Sequence, residues 1–549
     1  MAILSFAGFT LLVAVISYFA TRKTDERSSD GYFLGGRSLT AGVIAGSLLL
    51  TNLSTEQIVG LNGQAYTEGI LVMAWETLAA IAMVVTAVFL LPRYLKGGIT
   101  TVPQFLQDRY DKTTKTITSL LFLSGYAVVF LPIVLYSGSL AIVTMFNIPE
   151  EFNVSHSTAI WLCVWGIGII GSIYAIFGGL KAVAVSDTVN AVGLLIGGIL
   201  IPFFGLSYIG DGNIVAGINE LMESNPNKFQ AMGGRTASVP FSTIFTGMML
   251  VQLFYWGTNQ AIIQRALAAK NLREGQKGLL LAAFIKILGP LIVVLPGVIA
   301  FHIFGGGLEI PDQAYPKLVN TVLPVSLIGF FAAVLFGAIL SSFNSALNSS
   351  VTLFGIDIYK EYINKKASEL TVVRYGKAFG VLLAILSMII APFIANAPEG
   401  LFDYLQEVNG CYSIPILTII VVGYLTKKVP AIAAKVAIAS GVVLYSISQF
   451  ILKPYLVNRA VEEAKASGVT DTLLLAETEK LAYPPFLHVM GILFAFNILV
   501  MLVIGAFKPR SEPFVLPYTK QVEMTPYRYL TIVGIGIVLT VIGIYMYFS

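Results

Sequence analysis

The sequence predicts an all-α integral membrane protein with about 14 transmembrane helices. Three observations carry this reading. The 549 residues are 56% hydrophobic but only 12% charged, about half the roughly 25% charge of a soluble domain. Apolar stretches near the roughly 20 residues needed to cross a bilayer recur along the whole chain. The basic residues between them gather in every second loop.

The first stretch, 3–20, is long enough to span. It has no basic region before it and no small-residue cleavage site after it, so it reads as a retained helix and not a signal peptide. The second, 40–66, is interrupted by TNLSTEQIVG at 51–60. Stretches 70–92, 117–146, 158–178 and 186–209 follow. The seventh, 241–265, carries QLFYWGTNQ, and the eighth, 278–304, holds Lys286. The ninth, 324–355, carries SSFNSALNSS. Stretches 371–396, 400–425, 430–452, 484–506 and 527–547 complete the set. The longer loops 210–240 and 453–483 contain NIVAGINELMES and AVEEAKASG, which read as surface helices.

The loops on one side hold about 26 of the 34 Lys and Arg residues and the opposite loops about 7, counting Lys286 as intramembrane. This places the basic loops in the cytoplasm and both termini outside. The small net charge of +4 offers no concentrated basic face for nucleic acid. Cys163 and Cys411 read as separate buried thiols, and His156, His302 and His488 have no metal-ligand spacing. No nucleophile motif or ligand set marks an enzyme, and no signalling domain marks a sensor.

The polar residues inside the spans decide among the remaining functions, because a charge at mid-membrane costs about 2.5 kcal/mol or more. Glu56, Glu76, Asp187 and Lys286 lie within spans, and Asp403 and Glu407 lie near the end of one. In TNLSTEQIVG the run of Ser, Thr and Asn competes for backbone hydrogen bonds, and Gly60 and Gly63 follow. This predicts a broken helix, whose freed carbonyls bind a cation and whose side chains bind a polar solute. In 251–270, Phe254, Tyr255 and Trp256 lie beside Gln252, Asn259 and Gln260, aromatic faces and amides suited to a sugar. Ser341 and Ser345 share a helix face with Ser342 adjacent, and such oxygen donors suit a hard cation. The two interrupted spans, the second and the seventh, are an odd number apart and cross in opposite senses, as in an inverted-repeat transporter.

These segments resemble the sodium/solute symporter family, the relatives of sodium–glucose cotransporters. The likeness covers nearly the whole chain. It rests on DGYFLGGRSL, NLSTEQIVG, GSIYAIFGGLKAVAVSD, FYWGTNQAIIQRALAAKNLREGQKG, SSFNSALNSS with DIYKEYI, and LQEVNG. The resemblance implies one transporter domain over 1–549. Within it, residues 38–425 form a 5+5 inverted-repeat (LeuT-like) core, with an added helix in 1–25 and further helices in 428–549. It also implies Na⁺ as the coupling ion, alternating access, and a bacterial inner-membrane location.

Carried over residue by residue, the resemblance implies a Na⁺ site of the Leu50 and Leu53 carbonyls with Ala338, Ser341 and Ser342. Asp187 stands near the ion's cytoplasmic exit. Solute ligands are implied at Gln57, Glu76, Lys286 and Gln406, a closing tyrosine at Tyr255, and further pocket residues at Asn52, Trp75, Gln252 and Trp256. Glu76 also has the charge to neutralise Lys286. Phe130 and Ala79 stand where sugar-carrying relatives have polar ligands, so two sides of this pocket are less polar. The solute read from this set is a hexose of the galactose/glucose type. Alternatives are an acidic sugar, an amino acid, an organic acid, or a sensor without transport. Ala338 brings no side-chain oxygen to a second ion site, so one sodium per solute is expected.

Overall fold

The computed structural model describes residues 2–21, 28–396 and 401–549. Met1, residues 22–27 of the first basic loop, and residues 397–400 ahead of the eleventh expected span lie outside the described residues. The described chain is almost wholly helical and contains only isolated β-bridges. Among the described residues ten helices are long and apolar enough to cross a membrane, and an eleventh is counted when one pair bent by 50° is joined. The expected spans beyond these are the first and the two interrupted ones.

Helix α1 (Ala2–Thr21) fills the first expected span. The second divides into α2 (Ala41–Asn52) and α3 (Thr55–Glu68). Between them Leu53 has ψ 55° and Ser54 is extended at ψ 178°. The interruption therefore falls where hydroxyl and amide side chains crowd the chain. Glu56 lies in the first turn of α3, where a carboxylate faces the positive end of the helix dipole.

Helix α4 (Ala74–Val85) carries Glu76 in its first turn. Helices α5 (Lys112–Gly125) and α6 (Leu131–Met145) are joined by a π-turn at Tyr126–Phe130. Helix α7 (His156–Ile209) covers two expected spans, with a reversal at Gly179, φ 60° and ψ −177°. A side chain there would be strained by its backbone and would meet Tyr32 at 3.2 Å.

Helix α8 (Ile214–Ser224) buries only Gly217 and Leu221, as a surface helix does. The seventh span divides into α9 (Gly247–Gly257) and α10 (Gln260–Leu267). Its break, at Thr258 and Asn259, repeats the Thr–Asn pair of the first break, Thr51 and Asn52. The Asn259 side chain caps α10 by accepting from the Ala261 amide, 3.0 Å, and also accepts from the Tyr126 hydroxyl, 2.6 Å.

Helices α11 (Leu272–Ile287) and α12 (Leu295–Phe304) belong to the eighth span, which bends near Gly289. Helix α13 (Val325–Thr352) is the serine-rich helix and runs on into a π-helix, Leu353–Ile363. There Asp357 accepts from Thr101 and Ser119, 3.0 Å each, and pairs with Lys115 at 3.3 Å. Helices α14 (Glu369–Ile390) and α15 (Leu401–Leu425) finish the set that surrounds the two breaks. Helices α16 (Ala431–Ile447), α18 (Phe486–Phe507) and α19 (Leu530–Tyr547) follow, with α17 (Lys453–Ala466) a helix without buried residues between the first two.

Helix α3 is tied to its neighbours on two sides. Asn62 Nδ2 donates to the Ile58 carbonyl, 2.8 Å, while its Oδ1 accepts from the Gly297 amide on α12, 2.8 Å. On the other side Gly60 allows close approach of Phe402 on α15, and Gln64 donates to Asp403 at 2.6 Å.

Candidate functional site

The two breaks lie at the centre of the bundle, and the polar residues around them are almost all buried. Two networks result. The first is built around Glu76, which is fully buried. Its Oε1 accepts from Gln57 Nε2 on α3 at 2.6 Å. Its Oε2 accepts from Lys286 Nζ on α11, which also donates to Asn52 Oδ1. Gly289 has no side chain, and this leaves room for the carboxylate. Four residues expected around the solute are thus brought together, and they are hydrogen-bonded to one another.

Trp256, on α9, lies beside this cluster with its ring 5.8 Å from the Lys286 ammonium. Its indole N–H donates to Gln252 Oε1, 3.2 Å, and Gln252 Nε2 donates to the Trp75 carbonyl, 2.9 Å. Trp75 packs edge-on against Phe402, with ring centres 5.0 Å apart. Tyr255 is half-buried and faces the Asn52 side chain. Gln406, on α15, is half-buried. Phe130 and Ala79 are buried, so the two less polar positions are apolar contacts in the interior.

Not every polar atom here has a protein partner. Among the described residues, Glu56 Oε2, Thr55 Oγ1 and Trp75 Nε1 are buried and lack one. Buried polar groups are otherwise almost always paired.

The second network joins α2, α7, α10 and α13. Ser342 Oγ donates to the Thr51 carbonyl, 3.0 Å, which sets the serine helix directly on the first break. Leu50, Leu53, Ala338, Ser341 and Ser342 are all buried at this junction. Among the described residues Ser341 Oγ has no hydrogen bond of ordinary geometry, and Asp187 is its polar neighbour. The carbonyl that Ser342 touches belongs to Thr51, between the two expected carbonyl donors.

Asp187 accepts from Ser47 Oγ at 2.7 Å, and Ser47 Oγ accepts in turn from Arg265 Nε at 3.2 Å. Arg265 Nη2 stands 4.0 Å from the Asp187 carboxylate and donates to Ser345 Oγ, while Nη1 donates to the Ala261 carbonyl. Ser345 also bonds Thr51 Oγ1, 3.1 Å. Arg265 is the last residue of the seventh stretch, 241–265, and counts with the basic loop that follows it, RALAAKNLREGQK. The structure buries it fully, in α10. The sequence offers a signal for it: Arg265 is flanked by AIIQ and ALAA, without the cluster of charges that marks a loop.

One end of the site is covered by the start of α15. Leu401 N donates to Asp312 Oδ2, 3.3 Å, from the loop after α12. Asp312 lies outside the spans, and burial pushes its carboxyl up to about 6. The two cysteines are free thiols. His302 and His488 serve as hydrogen-bond partners of Asn225 and of Ser242 and Thr246.

Broken helices meeting at mid-bundle, one carrying buried carbonyls and hydroxyls and the other aromatics and amides, define a secondary transporter. The sequence profile described as the Sodium:solute symporter family matches residues 32–441. The chain belongs to this family. It is a multi-pass membrane protein, a Na⁺-coupled symporter and not an enzyme.

Among relatives, an uncharacterized symporter, YidK, of Escherichia coli (strain K12) is 48% identical over 543 residues, covering 99% of this chain and 90% of that one. The sodium/glucose cotransporter of Vibrio parahaemolyticus is 32% identical over 465 residues, covering 80% and 83%. The human sodium/myo-inositol cotransporter 2 is 27% identical over 470 residues, covering 79% and 68%. Among solved structures, a Na⁺-coupled sialic acid symporter in its substrate-bound outward-open state superposes with a TM-score of 0.69 at 18% identity, over 91% of this chain and 98% of that one. Mhp1, a nucleobase-cation-symport-1 family transporter, superposes with a TM-score of 0.53 at 13% identity, over 87% and 95%. These two establish likeness of fold, of the LeuT-like inverted-repeat kind.

Proposed function

We propose that the chain imports a neutral hexose of the galactose/glucose type together with one sodium ion, by alternating access in a bacterial inner membrane. The observation that carries the solute class is the charge of the pocket. Lys286 is paired with Glu76, and the Glu56 carboxylate adds a further acceptor without a partner. Among the described residues of this cluster no cation is left over to receive a solute carboxylate, and this weighs against acidic sugars, organic acids and amino acids. A polyhydroxy solute brings donors for Glu56 and Glu76 and acceptors for the amides of Gln57 and Gln406. The printed names of two relatives, a glucose and a myo-inositol cotransporter, point to the same class.

In this reading the ion is held by the Leu50 and Leu53 carbonyls with Ala338, Ser341 and Ser342. Ser342 gives its proton to the Thr51 carbonyl and so turns its lone pairs outward, and Ser341 keeps an unpaired oxygen. Residues 38–425 are the moving core, with helices added before and after it. The basic loops lie in the cytoplasm, both termini outside, and Asp187 near the ion's exit.

The test is uptake of radiolabelled hexoses into proteoliposomes, with charge and solute flux recorded together. The expected result is sodium-driven accumulation with one charge per neutral sugar. The single-ion reading is supported by the Arg265 guanidinium, which engages Asp187 and Ser345, the two side chains a second ion would need. Two charges per sugar would defeat the single-ion reading, and accumulation of none of the hexoses would defeat the sugar reading.

Gln57→Ala and Gln406→Ala should separate in the same assay. Loss of Gln406 removes one hydrogen bond to solute, about 0.5–1.5 kcal/mol. Loss of Gln57 also strips Glu76 of a buried partner and should cost more, about 1–3 kcal/mol. Wild-type KM values in both variants would remove these residues from the pocket.

A further inference from the structure

Two tryptophans stand beside the Glu76 cluster, and the protein treats their indole N–H groups differently. Trp256 Nε1 has an acceptor, Gln252 Oε1, at 3.2 Å. The same glutamine's amide nitrogen is held by the Trp75 carbonyl at 2.9 Å. Gln252 is therefore fixed at both ends and cannot turn to serve the second indole. Trp75 is 3% exposed, and its Nε1 has no partner.

An indole N–H finds an acceptor when it is buried for structural reasons. Left alone it loses its hydration without recompense, and a phenyl ring would fill the space without that loss. The position of Trp75 supplies an explanation. It precedes Glu76, the hub of the polar cluster. Its ring rests against Phe402, which lies on Gly60 of α3, one turn beyond Glu56 and Gln57. Trp75 thus links the residue at the hub of the acid cluster to the aromatic contact with Phe402.

We propose that the Trp75 indole N–H donates a hydrogen bond to an oxygen of the transported solute, and that this bond selects among hydroxylated solutes. The proposal rests on the pocket reading above. It adds a donor where the other polar groups nearby are occupied with one another. With Glu56 Oε2 and the Thr55 hydroxyl, which also lack a partner among the described residues, the Trp75 N–H is one of three polar groups left for a solute.

The experiment replaces the indole by rings that lack the N–H. Wild type and Trp75→Phe are assayed in proteoliposomes for sodium-driven uptake of D-galactose, D-glucose and the monodeoxy analogues of each. The expected result is a KM raised roughly 2- to 12-fold for the parent sugar, the loss of one neutral hydrogen bond, with kcat little changed. One analogue, lacking the bonded oxygen, should be carried equally well by both proteins. Equal KM values for every sugar would overturn the proposal. A uniform rise for all analogues would also overturn it, because that marks lost packing. If Trp75→Phe does not reach the membrane, benzothienylalanine at position 75 makes the same deletion with the bicyclic shape kept. Should wild type carry neither hexose, the hexose reading alone falls and myo-inositol becomes the probe for Trp75. Uptake of none of the three would overturn both.

Discussion

Lys286→Met should abolish transport and lower the thermal stability of the detergent-solubilised protein. Lys286 and Glu76 are 1% and 0% exposed, and they form a direct ion pair. Removing one member of a buried pair leaves the other charge uncompensated, typically at about 3–5 kcal/mol. The size of this effect does not by itself separate a structural ion pair from a solute ligand. The double replacement Lys286→Met with Glu76→Gln does. It keeps an acceptor for Gln57 and removes both charges, so the fold should regain most of the lost stability. If Lys286 serves only Glu76, uptake returns as well. If Lys286 also bonds the solute, stability returns without uptake. A melting curve and an uptake assay on the same preparation read both, and a single mutant as stable as wild type would show that the pair is not buried as described.

Arg265→Leu should have an effect of similar size through the other network. Arg265 is fully buried and supports Asp187, Ser47 and Ser345 at once. Without it Asp187 keeps only neutral hydroxyl neighbours, Ser47 and Ser341, a loss again of about 3–5 kcal/mol. Asp187→Asn removes the opposite charge but keeps an oxygen for Ser47. It should fold, slow the release of sodium to the cytoplasm, and leave the ratio of charge to solute unchanged. The pair of variants is informative for stoichiometry. Once Arg265 is gone, Asp187 and Ser345 become available to a cation, and sodium dependence in Arg265→Leu should become steeper if the protein still transports. An Arg265→Leu variant with wild-type stability and uptake would remove the guanidinium from any role in this site.

The membrane-spanning class and the first break were legible in the sequence for one physical reason. Polar atoms are costly in a bilayer, so a run such as TNLSTEQIVG signals itself. The same cost made Lys286 and Glu76 stand out, and they do pair. Arg265 did not stand out, because a basic residue at the end of an apolar run looks like the edge of a span. Its burial depends on Asp187 and Ser47, many residues away, and no local pattern reports that. The mutual bonding of Gln57, Glu76, Lys286 and Asn52 was likewise invisible, being a product of three helices meeting. So was the contrast between the two indoles, which turns on where a single glutamine points.

Asn62 fixes how the first broken helix can travel. Its amide bonds both the Ile58 carbonyl of its own helix and the Gly297 amide of α12, so α3 and α12, with α15 held through Gln64 and Asp403, have the linkage of a single strut. The chain at Leu53–Ser54 is the strut's pivot, because no helical ladder crosses it. A helix of 14 residues is roughly 21 Å long, so a swing of about 10° about that pivot carries the Glu68 end through roughly 3.6 Å. That arc is wider than a water molecule. The rotation leaves the pivot end, where Thr51 meets Ser342, almost in place. A small angle at the centre of the membrane thus becomes an aperture at its surface, and the leverage comes from where the helix is broken.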